Sequence, residues 1–285
     1  GETPGYPRFK GRNRFASFGF KEYGNGFKLD GRRLRLSGIG RVAVRWHRPL
    51  EGRVKTVRIT RRAGQWYACF ACEVAPVPLA ATGQEVGIDV GIASLITTSA
   101  GEQVAHPARY RAAQRKLRVL QRRVARRTKG SANRRKAVRM LQRQHERVAN
   151  QRKDFLNKLA QRLIVRYDRI ALEDLRITNM VRNRHLAKSI LDAGWGYLVQ
   201  HLTSKAEEAG RVVVLVDPRN TSKSCSRCGH VFVEQTLADR WIDCACGLSL
   251  DRDHNAAINI LNRAGQVRWA SSSPVGGLAQ EAARL

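Results

Sequence analysis

Val86-Gly87-Ile88-Asp89-Val90 is an apolar run with a single acid inside it. A short apolar run of this kind reads as a buried strand. A charge within such a strand costs several kcal/mol unless it is paired or bound to a metal. Ala93 to Thr98 continues as a second strand, and the turn Ser99-Ala100-Gly101 leads into Gln103-Val104-Ala105, which makes a three-stranded antiparallel meander. Further on, Ile170-Ala171-Leu172-Glu173-Asp174-Leu175 is a short strand that ends in acids. A helix over roughly 189–209 is closed by Gly210, Arg211 to Val216 is another apolar strand, and a last helix spans roughly 255–263. Three antiparallel strands followed by alternating helices and strands give an α/β fold, an RNase-H-like mixed sheet with helices on its faces.

That order makes a functional expectation out of three acids. In an RNase-H-like sheet the first and fourth strands are neighbours and the last helix packs beside them. Asp89, Glu173 and Asp253 should therefore converge. Such a cluster repels itself without cations. With two Mg²⁺ (or Mn²⁺) ions it can activate a water and stabilise the leaving oxygen in phosphodiester cleavage. Each acid alone has a plainer reading. Asp89 could be a structural ion pair, Asp174 could pair with an arginine, and Asp251 reads as the N-cap of the last helix.

The charge balance points to the same substrate class. Fifty-three Lys and Arg against 23 Asp and Glu give a formal +30 over 285 residues, and nucleic acid is the usual polyanion that neutralises such a chain. A structural RNA-binding protein has this composition too. Hydrophobic residues at 42% are enough for a sizeable core. There is no apolar run of about 18 residues and no signal peptide, so a cytoplasmic, nucleoid-associated location without membrane contact is expected. Residues 1–80 read as β-rich, with short alternating runs such as Val42-Ala43-Val44-Arg45-Trp46 between Gly-rich turns, and as a small basic barrel or sheet. Residues 107–163 read as two long helices broken near Lys129-Gly130-Ser131. Between Arg109 and Lys153 stand 18 Lys or Arg and one acid, Glu146. A solvated helix face mixes both signs. A single-sign face, with Arg115, Arg118, Arg122, Arg126, Arg134, Arg135 and Arg143 as candidate contacts, is expected to meet phosphates.

Cysteines mark a second centre. Cys225-Ser226-Arg227-Cys228 and Cys244-Ala245-Cys246 form C-x₂-C and C-x-C pairs, each followed by glycine, Gly229 and Gly247. Four thiolates suit a tetrahedral structural zinc. The second pair is one residue shorter than the usual spacing, and His230 is not needed as a ligand. Cys69 and Cys72 share the C-x₂-C spacing but lie in a strand-like run with no second pair nearby, and they read as buried thiols.

Together these motifs resemble TnpB, or OrfB-type, proteins encoded by small bacterial insertion sequences. The matching pieces are Gly87-Ile88-Asp89-Val90-Gly91, Ala171-Leu172-Glu173-Asp174-Leu175, Gly194-Trp195-Gly196, Thr221 to Gly229 and Asp251 to Ile260. The resemblance covers roughly residues 4–263. It implies a RuvC-like DNA endonuclease guided by a transposon-encoded RNA, with Asp89, Glu173 and Asp253 as catalytic acids and Cys225, Cys228, Cys244 and Cys246 on zinc. It also implies an organisation: a partial β-rich domain over 1–80, the nuclease core over 81–220 with its basic hairpin at 107–163, a zinc ribbon over 221–250, the final motif and helix over 251–263, and a loosely ordered tail over 264–285. Family members usually begin with a further β-strand and a helical domain. This chain, opening at Tyr6-Pro7-Arg8-Phe9-Lys10, is expected to lack them. Two other readings share the core: a non-catalytic nucleic-acid-binding remnant, and a transposase that joins DNA ends. The sequence says nothing of oligomeric state.

Overall fold

The computed structural model describes residues 15–236 and 239–266. The expected tail falls almost wholly outside the described residues. The described residues divide into two compact units, one built from 15–75 with Arg122–Arg143, the other from Pro76–Gln121 and 144–266.

The first unit holds β1 (Ser17–Phe20), β2 (Phe27–Asp30), β3 (Arg33–Leu36), β4 (Gly40–Ala43), β5 (Arg53–Arg62) and β6 (Gln65–Glu73). They form two three-stranded antiparallel sheets, β1-β5-β6 and β2-β3-β4. Period-two alternation sets which side is buried. In β3, Leu34 and Leu36 are buried with Phe27, Val57 and Ile59, while Arg33 and Arg35 face solvent. The expectation of buried thiols on β6 is not met: Cys69 is exposed and Cys72 half-buried. Residues three apart in a strand point to opposite faces, so C-x₂-C spacing there neither chelates one ion nor buries both sulfurs.

The second unit is the RNase-H-like sheet. Its strands are β7 (Glu85–Val90), β8 (Ser94–Thr98), β9 (Gln103–Ala105), β10 (Arg169–Glu173) and β11 (Val212–Val216), in the spatial order β11-β10-β7-β8-β9. β7, β8 and β9 are the antiparallel meander, and β10 runs parallel to both β7 and β11. Helix α1 (Arg109–Ala125) and helix α2 (Ala132–Arg166) follow β9, broken at Gly130 as the sequence suggests. After β10 come α3 (Ile177–Met180), α4 (Ala187–Ala193) and α5 (Trp195–Ala209). A small ribbon of β12 (Trp241–Asp243) and β13 (Ser249–Asp251) precedes α6 (Arg252–Gln266).

The helix expected over 189–209 is two helices. Gly194 adopts a left-handed φ of 72° between α4 and α5, and a Cβ there would stand 3.1 Å from Leu156. The break lets Asp192, buried at the end of α4, accept the Tyr110 N–H at 3.0 Å and face Arg152. The last helix also runs longer than expected, to Gln266, with Ala264 in the core.

The two faces of the sheet are packed differently. Val86, Ile88, Ile170 and Leu172 point into the main core with Leu156, Leu159, Ile164, Leu198 and Leu202. The alternate residues, Gly87 and Ala171, point to α6, whose Ala257 and Ile260 are fully buried. A Cβ at Gly87 would meet the Ala257 carbonyl oxygen at 2.1 Å and the Leu261 nitrogen at 2.7 Å. Helix backbone touches strand backbone here, and neither can yield as a flexible side chain would.

Arg211, buried at the start of β11, anchors the approach to β7. Its guanidinium donates to the Ala80 carbonyl at 2.7 Å and the Ile164 carbonyl at 3.2 Å, and pairs with Asp168 at 2.6 Å. Asp168 also accepts the N–H groups of Thr82 and Gly83 at 2.9 and 2.7 Å.

Two outcomes follow from this packing. Gly87→Ala should destabilise the protein by about 1–3 kcal/mol or more through overpacking, seen as a lower denaturation midpoint together with faster amide exchange in α6. The Thr82 amide above all, then Gly83 and Arg211, hold the Asp168 carboxyl below its ordinary value. A carboxyl depressed in the fold adds stability that is present at neutral pH and lost as pH falls through its folded value. Asp168→Asn should therefore lower the melting temperature at pH 7, and the gap to wild type should close as the pH drops below the usual carboxylate range.

Candidate metal centres

Strand register builds the first centre. Leu172 is paired with Ile88 across β10 and β7, so the next residues, Glu173 and Asp89, stand side by side where two parallel strands end. Both lie on the face that carries Gly87 and Ala171, the face covered by α6. That helix brings Asp253 in its first turn. Gly91 follows at the end of β7, where a Cβ would meet the Ser94 carbonyl oxygen at 2.8 Å. Asp251 caps the helix as its sequence position suggests, its Oδ1 accepting the N–H groups of Asp253 at 3.0 Å and His254 at 3.1 Å. His254 then holds the first turn to the β8–β9 turn, with Nε2 3.1 Å from the Ser99 carbonyl oxygen.

The electrostatics show an uncompensated site. Burial first, then the charges of Glu173 and Asp253, push the Asp89 carboxyl well above the usual carboxylate range; Arg252 opposes them. Burial also raises Glu173, against the Thr221 hydroxyl and Arg263. Arg252 reaches Asp253 only at 3.7 Å. Three carboxylates gathered where two strands end, two of them raised by burial, are a donor set suited to hard divalent cations.

The second centre lies between β11 and α6. The Sγ atoms of Cys225, Cys228, Cys244 and Cys246 all lie within 4.8 Å of one another, and the pairs 225–246 and 228–244 stand 3.6 Å apart. Tetrahedral zinc with Zn–S near 2.3 Å needs sulfurs about 3.8 Å apart. The two glycines make the turns, with φ of 78° at Gly229 and 82° at Gly247. Gly229 N–H donates to the Cys225 carbonyl, whereas Gly247 N–H reaches back only three residues to Cys244; the shorter C-x-C is accommodated by a tighter turn. Burial works against ionisation of Cys225, but the N–H groups of Cys228 and Arg227 outweigh it and bring the thiol to about 7, while Cys244 is pushed up to about 12 by burial and the neighbouring sulfurs, despite the Cys246 N–H. Without a cation the cluster cannot carry four thiolates. One divalent ion would allow it.

The arginines singled out on the helical hairpin divide. Arg115, Arg118, Arg122, Arg126 and Arg143 are exposed. Arg134 and Arg135 instead serve the turn between α1 and α2. Arg134 donates to the carbonyls of Val124 at 3.2 Å and Arg127 at 3.0 Å, and Arg135 to that of Gly130 at 2.5 Å. Both bond to backbone carbonyls in and beside the turn between the two helices.

Residues 69–184 match the family model OrfB_IS605, described as "Probable transposase", and residues 195–260 match the Cas12f1-like TNB domain. InsQ of Escherichia coli (strain K12), named "Putative RNA-guided DNA endonuclease", is 33% identical over 275 residues, covering 90% of this chain and 68% of that protein. The chain belongs to the TnpB (OrfB) family. A relative of the same descriptive name in Streptomyces pristinaespiralis is 41% identical over 90% of this chain, and the chain spans 65% of its length. The Cas12f1 endodeoxyribonuclease of Sulfoacidibacillus thermotolerans is 28% identical over 70% of this chain and 50% of its own. Both family-model matches fall on the described centres: the first spans Asp89 and Glu173, the second the four cysteines and Asp253.

Thr221, Asn255, Asn259 and His254 are site residues that spacing did not single out. They sat inside family motifs, but nothing in composition distinguishes a polar residue that will be buried from one that stays wet.

The purified chain should carry about one zinc by elemental analysis. Cys228→Ser should lose that zinc and melt at lower temperature, whereas Cys69→Ser should keep both zinc and midpoint.

Proposed function

We propose that this TnpB-family chain carries the nuclease centre of a divalent-metal-dependent DNA endonuclease, of the kind that is guided by RNA in its longer relatives. The observation that carries the reading is the placing of Asp89 and Glu173 at the ends of the neighbouring strands β7 and β10, beside the first turn of α6 with Asp253, and Asp89 held above its ordinary pKa by burial and by its two neighbours. Asp89, Glu173 and Asp253 would hold two Mg²⁺ or Mn²⁺ ions, and Cys225, Cys228, Cys244 and Cys246 a structural zinc. When bound, the divalent ions would supply an activated water and neutralise charge on the phosphodiester.

The protein's own residues supply the frame. Asp89 and Glu173 are fixed by two adjacent strands and move only with the sheet. Asp253 is fixed by α6, and Thr221 restrains one Glu173 oxygen by a hydrogen bond. The exposed arginines of the hairpin would grip phosphates without reading bases. A guide RNA would choose the DNA by pairing, while the protein holds the duplex by its backbone. The names of the E. coli and Streptomyces relatives support this partner and substrate, and a nucleoid-associated place in a bacterial cytoplasm fits them. Among the described residues, no helix is long and apolar enough to cross a membrane.

The test is cleavage of labelled single-stranded and plasmid DNA, with co-purifying RNA retained, with and without Mg²⁺. Cutting should require the metal. Asp89→Ala should lower it by about a thousandfold or more, since transition-state stabilisation at such a centre amounts to several kcal/mol. DNA binding without cutting by the wild type would leave a binding protein in its place, and joining of transposon ends would make it a strand-transfer enzyme.

A further inference from the structure

Helix α6 presents two stripes. The apolar one, Ala256, Ala257, Ile260 and Ala264, is buried, with Ala257 against Gly87 of β7 and Ile260 and Ala264 beside Ala171 and Val216 of the sheet. The other, Asn255, Asn259 and Arg263, recurs every four residues and faces the loop 217–226 that leads from β11 to the first cysteine pair. Asn255 is fully buried. Its Oδ1 accepts the Ser226 N–H at 2.8 Å and its Nδ2 donates to the Ser224 carbonyl at 2.7 Å, so one amide brackets Cys225 on both sides. Asn259 Nδ2 donates to the carbonyls of Ser224 at 2.6 Å and Thr221 at 2.8 Å. Arg263 donates to the Asp217 carbonyl at 2.7 Å. A helix that needed only to pack would carry apolar residues here, because a buried amide costs free energy unless its bonds are made. These bonds are all made to one loop.

The same loop touches the carboxylates. Thr221, 2% exposed, hydrogen-bonds Glu173 Oε1 through its hydroxyl and lies 3.0 Å from the Pro218 carbonyl oxygen. The loop therefore carries a thiol ligand at position 225 and a partner of Glu173 at 221, and it is tied along its length to the helix that carries Asp253.

We infer that Thr221 is a positioning residue for Glu173, and that the Asn255–Asn259–Arg263 clamp couples the thiolate cluster to the carboxylate site, so that metal in the first sets the divalent-cation affinity of the second. This rests on the reading of Asp89, Glu173 and Asp253 as a cation site. A metal held by Cys225 fixes the backbone at 224–226. Asn255 and Asn259 pass that constraint to α6 and to the Thr221 carbonyl. Thr221 then holds one Glu173 oxygen and leaves the other free for an ion. Hydrogen-bond partners of metal ligands commonly change affinity by about 10–100-fold when removed.

The experiment is Mn²⁺ titration of the full chain, without nucleic acid, followed by the EPR signal of free Mn²⁺; zinc content and melting temperature are recorded for every variant. Thr221→Val removes the hydroxyl but keeps the shape, and should weaken Mn²⁺ binding about tenfold or more with zinc content unchanged. Thr221→Ser keeps the hydroxyl and should restore binding. Asn255→Ala, which removes neither a thiol nor a carboxylate, should reproduce the Thr221→Val defect. Removing zinc from the wild type with a zinc-selective chelator should also weaken Mn²⁺ binding, and should add little to Thr221→Val, because effects that pass through one group are not additive. Wild-type affinity in Thr221→Val overturns the positioning role, and unchanged affinity after zinc removal or in Asn255→Ala overturns the coupling. Asp89→Ala separates the two levels. If it loses Mn²⁺, the carboxylate reading stands whatever Thr221 does; if it binds as the wild type does, both fall.

Discussion

Helix α6 lies so close to β7 that no side chain fits between them, and the candidate chemistry depends on that approach. The Ala257 carbonyl stands 2.1 Å from where a Gly87 Cβ would be. Strand alternation does the rest. If Gly87 and Ala171 face the helix, then Asp89 and Glu173, two residues further along, face it as well, at the end where the helix begins. The residues that allow contact and the residues that could do chemistry are therefore consecutive positions on one face. Moving α6 outward by the width of a methyl group would carry Asp253 away from the other two acids.

The net charge of the chain does not relieve this cluster. A formal +30 is large, yet exposed charges are screened within about 10 Å at 0.1 M salt. The arginines that count are the near ones, Arg252 and Arg263, and burial outweighs them for Asp89 and Glu173. The basic surface can draw in a polyanion from a distance, and the acids can still lack compensation. A centre that attracts both phosphates and divalent ions needs both conditions at once.

Much of this was legible in the sequence. An acid inside Val86-Gly87-Ile88-Asp89-Val90 violates the apolar pattern of its strand, and the order of strands places it beside Glu173. The four cysteines show in their spacing, because metal geometry constrains the chain locally. Other features depend on what a residue meets after folding. Gly194 falls inside the helical pattern expected over 189–209, and only its left-handed φ, the lack of room for a Cβ beside Leu156 and the bond that Asp192 makes to Tyr110 show why the helix breaks there. Cys69 and Cys72 read as buried thiols, yet strand geometry turns them to opposite faces and leaves Cys69 exposed. Arg134 and Arg135 carry the same charge as their neighbours, and only the nearby carbonyls at the helix turn distinguish them. Asn255 and Asn259 are the sharpest case, since a buried amide and a solvated one are the same letter.

The three acids are not held alike. Asp89 and Glu173 belong to paired strands whose backbone bonds fix them together. Asp253 belongs to a helix, and a helix can slide or tilt on a sheet of small residues, because Gly and Ala surfaces offer few ridges to lock it. Hydrogen bonds hold α6 in place: His254 to the Ser99 carbonyl, and the second, polar stripe to the loop 217–226. That loop has no regular ladder of its own and is made rigid by what it binds: amides from α6 on one side and, through Cys225, the thiolate cluster on the other. The sheet thus provides two carboxylates on paired strands, and the third sits on a helix whose first turn is bonded to the β8–β9 turn by His254 and, through Asn255, to the loop on which the cysteine pairs begin.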